Sequence, residues 1–170
     1  MPHAALERHP DSPCAALRGI EAAVSRGAGG QLEVAYVLEG EIDRLRIPPR
    51  RAARAAERLW QHTCCELFVA RDGAPGYREF NFSPSGEWAA YAFARYREGG
   101  PLSVPDPRIA VKRRAGRLEL TATIEASSPC RIGLSAVIEE QNGSLSYWAL
   151  KHPPGKPDFH HRDAFALTLE

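Results

Sequence analysis

The chain has 170 residues, 44% of them hydrophobic and 25% charged, with a net charge of +1. That is one domain's length, with enough apolar side chains for a single core. A near-neutral balance gives no global electrostatic basis for binding nucleic acid or an acidic membrane, and no run approaches the ~18 apolar residues of a membrane span. The opening residues, "MPHAALERHPDSPC", lack a basic stretch followed by an apolar one, so no export signal is read and a cytoplasmic location is expected. A weak strand is expected in "CAALRGIEAAVSRG". In "QLEVAYVLEG" the period is two, with Leu32, Val34, Tyr36 and Leu38 on one face. The basic stretch "RIPPRRAARAAERLW" (46–60) reads as a solvated loop or a short helix near 50–58.

Next, "CCELFVARDG" sets Cys65, Leu67 and Val69 against Cys64, Glu66 and Phe68 before a DG turn. "GYREFNFSPSG" places Phe80 and Phe82 on one face and Tyr77, Glu79, Asn81 and Ser83 on the other. "EWAAYAFARYREGG" is alanine-rich, but its aromatics and its flanking strands favour a strand. Residues 108–125 read as a hairpin with Leu118, Leu120, Ala122 and Ile124 inward. In "RIGLSAVIEEQNGSLSYWAL" the Asn142-Gly143 pair predicts a two-residue type I′ hairpin. That register pairs Ile138 with Tyr147 and Val137 with Trp148. It puts Tyr147 on the apolar stripe and Trp148 on the polar face, either capped by another segment or touching a ligand. "DAFALTLE" closes the chain as a short strand. The expected fold is therefore all-β: an antiparallel β-sandwich of two sheets and roughly 8–10 strands, with at most one short helix.

Chemistry-bearing motifs are sparse. The four cysteines show no CxxC spacing, and Cys64 and Cys65 point to opposite faces of one strand. They are read as reduced, packed thiols. His62 and Cys64 share a strand face and could give a metal two ligands, too few without a third. No GxSxG, GxGxxG or P-loop motif is present. Glu66 and Glu79 could share one outer face as a carboxylate pair. An enzyme reading would assemble His62, Cys64 and His160 as a hydrolytic or metal-dependent centre. The alternative for those residues is a buried cysteine and hydrogen-bonded histidines. Better represented are aromatics among polar groups: Trp60, Trp88, Tyr91, Trp148 and Phe159 beside His62, Glu66, Asn81, Lys151, His160 and Arg162. Such rings either form core or offer flat apolar faces to a sugar-like ligand.

Three segments, "LWQHTCCELFVA", "GYREFNFSPSGEWAAYAF" and "LSAVIEEQNGSLSYWALKHPPGKPDFHHRDAFALTLE", resemble the DOMON-like domains of bacteria. Those belong with the family-nine carbohydrate-binding modules and the haem- or sugar-binding DOMON domains. The resemblance covers about residues 30–170, within a single domain over 1–170 whose residues 1–13 are expected to be flexible. Trp148, Phe159-His160 and Phe165 match the closing segment of family-nine modules, and Trp60 and Glu66 match their Trp…Glu strand. The resemblance implies a β-sandwich with a ligand groove and a non-catalytic role. Its ligand would be a small carbohydrate or carbohydrate-like metabolite, such as a sugar or nucleotide-sugar. The binding residues expected on that basis are Trp60, His62, Glu66, Trp88, Trp148, Lys151, His160 and Arg162. No cofactor is expected: the Met/His haem ligation of some relatives has only Met1 to draw on, and the six aspartates are scattered. No nucleic-acid or membrane partner is expected, a protein-interaction role is the other alternative, and the oligomeric state is left open. Within "KHPPGKPDFHH" (151–161) the prolines and glycine imply a stiff crossover. His160 would sit on its rim as a ligand contact or a structural hydrogen-bonder, and His161 would face solvent.

Overall fold

The computed structural model describes residues 3–170. Twelve strands run in the order β7-β6-β5-β4-β10-β11-β1-β2-β3-β9-β8, with β12 paired to β10, and every strand pair is antiparallel. The back half comprises β2 (Leu17–Arg26), β3 (Leu32–Gly40), β8 (Ala110–Arg114) and β9 (Arg117–Ile124). The front half comprises β4 (Cys64–Arg71), β5 (Tyr77–Phe82), β6 (Trp88–Arg95), β7 (Glu98–Pro101), β10 (Cys130–Glu139), β11 (Leu145–Ala149) and β12 (Leu167–Leu169). The first strand, β1 (His3–Arg8), joins them. Its Leu6 pairs with Ile20 of β2, whereas Glu7 and Arg8 pair with Ala149 and Trp148 of β11. Part of the stretch expected to be flexible is thus the hinge strand between the two halves. Met1 lies outside the described residues.

The inward faces follow the alternation read from the sequence. Leu32, Val34, Tyr36 and Leu38 of β3 and Leu118, Leu120, Ala122 and Ile124 of β9 are all buried. They share one core with Cys65, Leu67 and Val69 of β4, Phe80 and Phe82 of β5, and Leu134, Ala136 and Ile138 of β10. Burying each large apolar side chain contributes about 1.5–3 kcal/mol, which holds the two halves face to face. The Tyr36 hydroxyl donates across that core to the Glu66 carbonyl at 2.6 Å, satisfying a phenol that would otherwise be stranded.

Two expectations change. Residues 50–58 form no helix; among the described residues there are only three short 3₁₀ turns, at 42–44, 59–61 and 162–164. Instead the segment runs extended beside the β5–β6 turn. Arg51 N–H donates to the Ser85 carbonyl at 2.8 Å, and Ala56 N–H to the Trp88 carbonyl at 2.8 Å. The only apolar side chains here are the small Ala52, Ala53, Ala55 and Ala56, which would give a helix little to bury, so backbone pairing with the sheet prevails over helix propensity.

The β10–β11 hairpin is also not the two-residue type. Gly143 sits at φ 87°, its N–H bonds the Glu140 carbonyl at 2.8 Å, and Glu140 N–H bonds the Ser144 carbonyl at 2.9 Å. That is a three-residue loop with glycine in the left-handed position. The extra loop residue slips the register by one: Val137 pairs with Tyr147, and Ala136 with Trp148. Every side chain of β11 therefore changes face. Trp148 enters the core at 5% exposure, its indole N–H on Ser146 Oγ at 2.9 Å, and Tyr147 moves to the outside.

Candidate functional site

The outer face of the front half is itself covered. On β4 even Cys64, Glu66, Phe68 and Ala70, which point away from the main core, are buried. Phe68, Ala70, Tyr77 and Phe165 make a second, smaller apolar cluster there. The covering segment is the crossover from residue 150 to β12. Phe165 stacks on Phe68 with centroids 5.6 Å apart. Gly133, the residue of β10 opposite Phe68, leaves room for it, since a Cβ there would lie 2.8 Å from the Phe165 ring. Histidines pin the crossover. His9 Nε2 lies 2.8 Å from the Gly155 carbonyl, His152 Nε2 lies 2.6 Å from the Glu7 carbonyl, and the Tyr77 hydroxyl meets His160 Nδ1 at 2.8 Å.

Between this cover and the sheet lies a groove of about 600 Å³, within the range of small-ligand sites. Register explains its floor. Ser135, Glu66 and Asn81 lie opposite one another across β10, β4 and β5, and Phe68, Glu79 and Tyr91 form the next row across β4, β5 and β6. Glu66 and Glu79 are thus diagonal neighbours on one face, and both line the groove. Tyr91, Phe93, Tyr147 and Phe159 wall it, and Trp60, Arg97 and His160 stand at its rim. Trp60, on the 3₁₀ turn Leu59–Gln61, is 50% exposed, unusual for so large an apolar side chain. A larger cleft of about 1030 Å³ opens between residues 102–108 and 123–127, but it contains none of the binding residues expected from the sequence.

The electrostatics of the floor are unusual. Glu66 is only 3% exposed. Burial, then the neighbouring Glu79 carboxylate, pushes its carboxyl well above the usual range. Burial raises Glu79 too, offset by its contact with the Glu66 carboxyl and by the Arg97 charge. Burial and mutual repulsion thus favour one proton shared between the two carboxyls. Beside Glu66, both amide atoms of Asn81 and the Ser135 hydroxyl are buried without a partner.

His160 is neutral across the physiological range. Burial, then the Arg97 charge, lowers its pKa from 6.5 to about 4. Arg97 N–H donates to the Tyr77 hydroxyl at 3.0 Å, which leaves the Tyr77 O–H free to donate to Nδ1 of the neutral ring at 2.8 Å when the ring proton is on Nε2. Nε2 faces Glu79 Oε1 at 3.7 Å. The sign of the pH effect follows. The unfolded chain protonates this ring near 6.5 and the folded one only near 4. Stability from the neutral ring is present above 6.5 and is lost as pH falls towards 4, by roughly 3 kcal/mol. Urea unfolding of wild type and His160→Gln across that window checks this: the variant should show a shallower loss on acidification.

Of the binding residues expected from the sequence, Trp60, Glu66 and His160 line the groove together, joined by Glu79, Tyr91 and Phe159, which the sequence also singled out. Trp88 packs against the main core and Trp148 is inside it. The His62 ring contacts Glu139 at 3.0 Å, Lys151 and Arg162 are exposed, and none of these three lines the groove. No hydrogen bond joins Cys64 to either His62 or His160 among the described residues. The Cys64 thiol is buried, and burial followed by the Glu66 carboxylate holds it protonated, the reverse of an activated nucleophile. Glu79 and Tyr91 have the correct strand parity in the sequence, and Tyr147 was hidden by the hairpin slip. Arg97, held in the left-handed region at φ 55°, has no sequence signal.

No protein-family model matches the chain, and no curated protein does. Among solved structures it is similar to a candidate carbohydrate-binding protein from Bacteroides uniformis ATCC 8492, with a TM-score of 0.67 and 16% identity, covering 99% of this chain and 85% of that one. At that identity the likeness establishes a shared all-β fold.

Proposed function

We propose that this chain is a non-catalytic binding module, acting in the cytoplasm, for a small carbohydrate or carbohydrate-like metabolite held in the groove on the front sheet. The observation that carries the reading is Trp60, half exposed at the mouth of a groove floored by polar side chains and walled by aromatic ones. A flat ring stacks on the apolar face of a sugar while buried acceptors take its hydroxyls. The solved structure of the same fold is that of a candidate carbohydrate-binding protein, which supports this reading, as does the resemblance of the Trp60, Glu66 and Phe159-His160 segments to DOMON-like domains. The protonated Cys64 thiol speaks for binding over nucleophilic catalysis. Intrinsic fluorescence titrated with a panel of sugars and nucleotide-sugars tests it, Trp60 being the reporter. A ligand should shift the signal, and Trp60→Ala should weaken that ligand about tenfold, roughly 1.4 kcal/mol. Unchanged affinity in Trp60→Ala would overturn the stacking arrangement. A protein partner docking elsewhere would leave the groove's response to sugars flat.

A further inference from the structure

The floor of the groove carries negative charge that the protein does not neutralise. The Glu66 carboxyl receives no N–H donor and no ion pair from any described residue, although only 3% of the residue is exposed. Besides the Glu66 carboxyl, Glu79 faces only the neutral His160 ring, at 3.7 Å and beyond hydrogen-bond reach. The one cation near them among the described residues, Arg97, acts on both carboxyls only through space, because its guanidinium is 3.0 Å from Asp158 and lies 5.5 Å from the centre of the Tyr96 ring. Burying carboxyls without a cation is costly, and such pairs are retained where a proton or a bound cation completes them. Asn81 and Ser135, which flank Glu66 in its row, are buried out of the groove and give the carboxyl no hydrogen bond, so the two glutamates alone meet a ligand there. Aromatic faces from Tyr91, Phe93, Tyr147 and Phe159 surround the floor, and such faces attract organic cations.

We propose that the groove selects a ligand carrying a cationic amine, its ammonium seated on Glu66 and Glu79 within the aromatic wall. An aminated sugar is then preferred over a neutral one, a specificity that rests on the carbohydrate reading of the same groove. A divalent metal is a poorer occupant, because no third His, Cys, Asp or Glu converges with the pair among the described residues. An ammonium needs only acceptors and aromatic faces. It also takes the place of the shared proton, so that both carboxylates can ionise against one ligand charge.

Calorimetric titration with D-glucosamine, D-glucose, N-acetyl-D-glucosamine and tetramethylammonium tests the proposal and separates it from the carbohydrate reading. The expected result is glucosamine binding at least tenfold tighter than glucose and N-acetylglucosamine. The doubly neutral variant Glu66→Gln/Glu79→Gln, shown to be folded by its thermal transition, should lose that margin. Tetramethylammonium should compete with glucosamine for the wild-type groove. If glucose or N-acetylglucosamine binds as tightly as glucosamine, the amine selectivity is overturned and the carbohydrate reading stands. If tetramethylammonium binds with a Glu66/Glu79 dependence and no sugar does, the cation site stands and the carbohydrate reading falls. If neither sugars nor tetramethylammonium bind, both are overturned.

Discussion

Trp148→Ala is expected to destabilise the protein by about 3–5 kcal/mol, the cost of removing a buried tryptophan from a packed core. For a chain of this size that lowers Tm by roughly 6–20 °C. Its neighbour gives the contrast: Tyr147→Ala should cost about 1 kcal/mol or less and act mainly on the groove that Tyr147 lines. The difference follows from one residue of hairpin register. Trp148 pairs with Ala136, shares the core with Leu134 and Ile138, and has its indole N–H satisfied by Ser146. Tyr147 pairs with Val137, which lines the groove on the opposite face. Paired urea melts of the two variants, with ligand titrations, read both effects. If Trp148→Ala retains stability while selectively losing ligand, β11 is in the two-residue-loop register and the placement is wrong.

That hairpin also shows where sequence reasoning reaches its limit. Alternation alone gave the inward faces of β3, β9 and β4, because period two is a property of the strand itself. It also put Glu66 and Glu79 each on its strand's outer face, the diagonal that makes the groove floor. Register depends on the loop, and "NG" serves both a two-residue turn and a three-residue loop with glycine third. Gly143 takes a positive φ in either loop, so the choice rests on Asn142, which a type I′ turn needs at positive φ and which does not adopt it here; Trp148 and Tyr147 therefore exchanged roles. Lys151, His62 and Arg162 stood beside the right segments in the chain, but their side chains emerge outside the groove. Arg97 and Gly99–Gly100 enter it through the β6–β7 turn, whose left-handed residue is an arginine without any local signature. Trp60 and Glu66 come from one segment and His160 from a distant one, and they meet only because the 150–166 crossover folds back over the outer face.

Glu66→Gln is expected to stabilise the protein at neutral and alkaline pH, by about 1–2 kcal/mol, while weakening ligand binding. The carboxyl is held well above its usual range by burial and by Glu79, so the folded state keeps a proton that the unfolded chain releases near 4.5. A group with its folded pKa raised contributes stability that is fully present below the unfolded value and lost as pH rises through the folded one. Wild type should therefore weaken on alkalinisation above about 4.5, and the variant, with no proton to lose at that position, should follow a flatter curve. The two curves converge on the acid side, where Glu66 is protonated in both states and glutamine mimics it. His160 acts in the opposite sense between 6.5 and about 4, since its neutral ring is lost on acidification. The groove thus carries two opposed pH slopes, and Glu66→Gln leaves the His160 slope exposed while His160→Gln leaves the carboxyl slope exposed. Urea unfolding of both variants from about pH 4 to 9 reads each slope separately. A Glu66→Gln protein less stable than wild type at the alkaline end would show that the carboxyl is ionised and well paired when folded, and not held as an uncompensated acid. Such a result would also remove the unneutralised charge on which the preference for an amine depends.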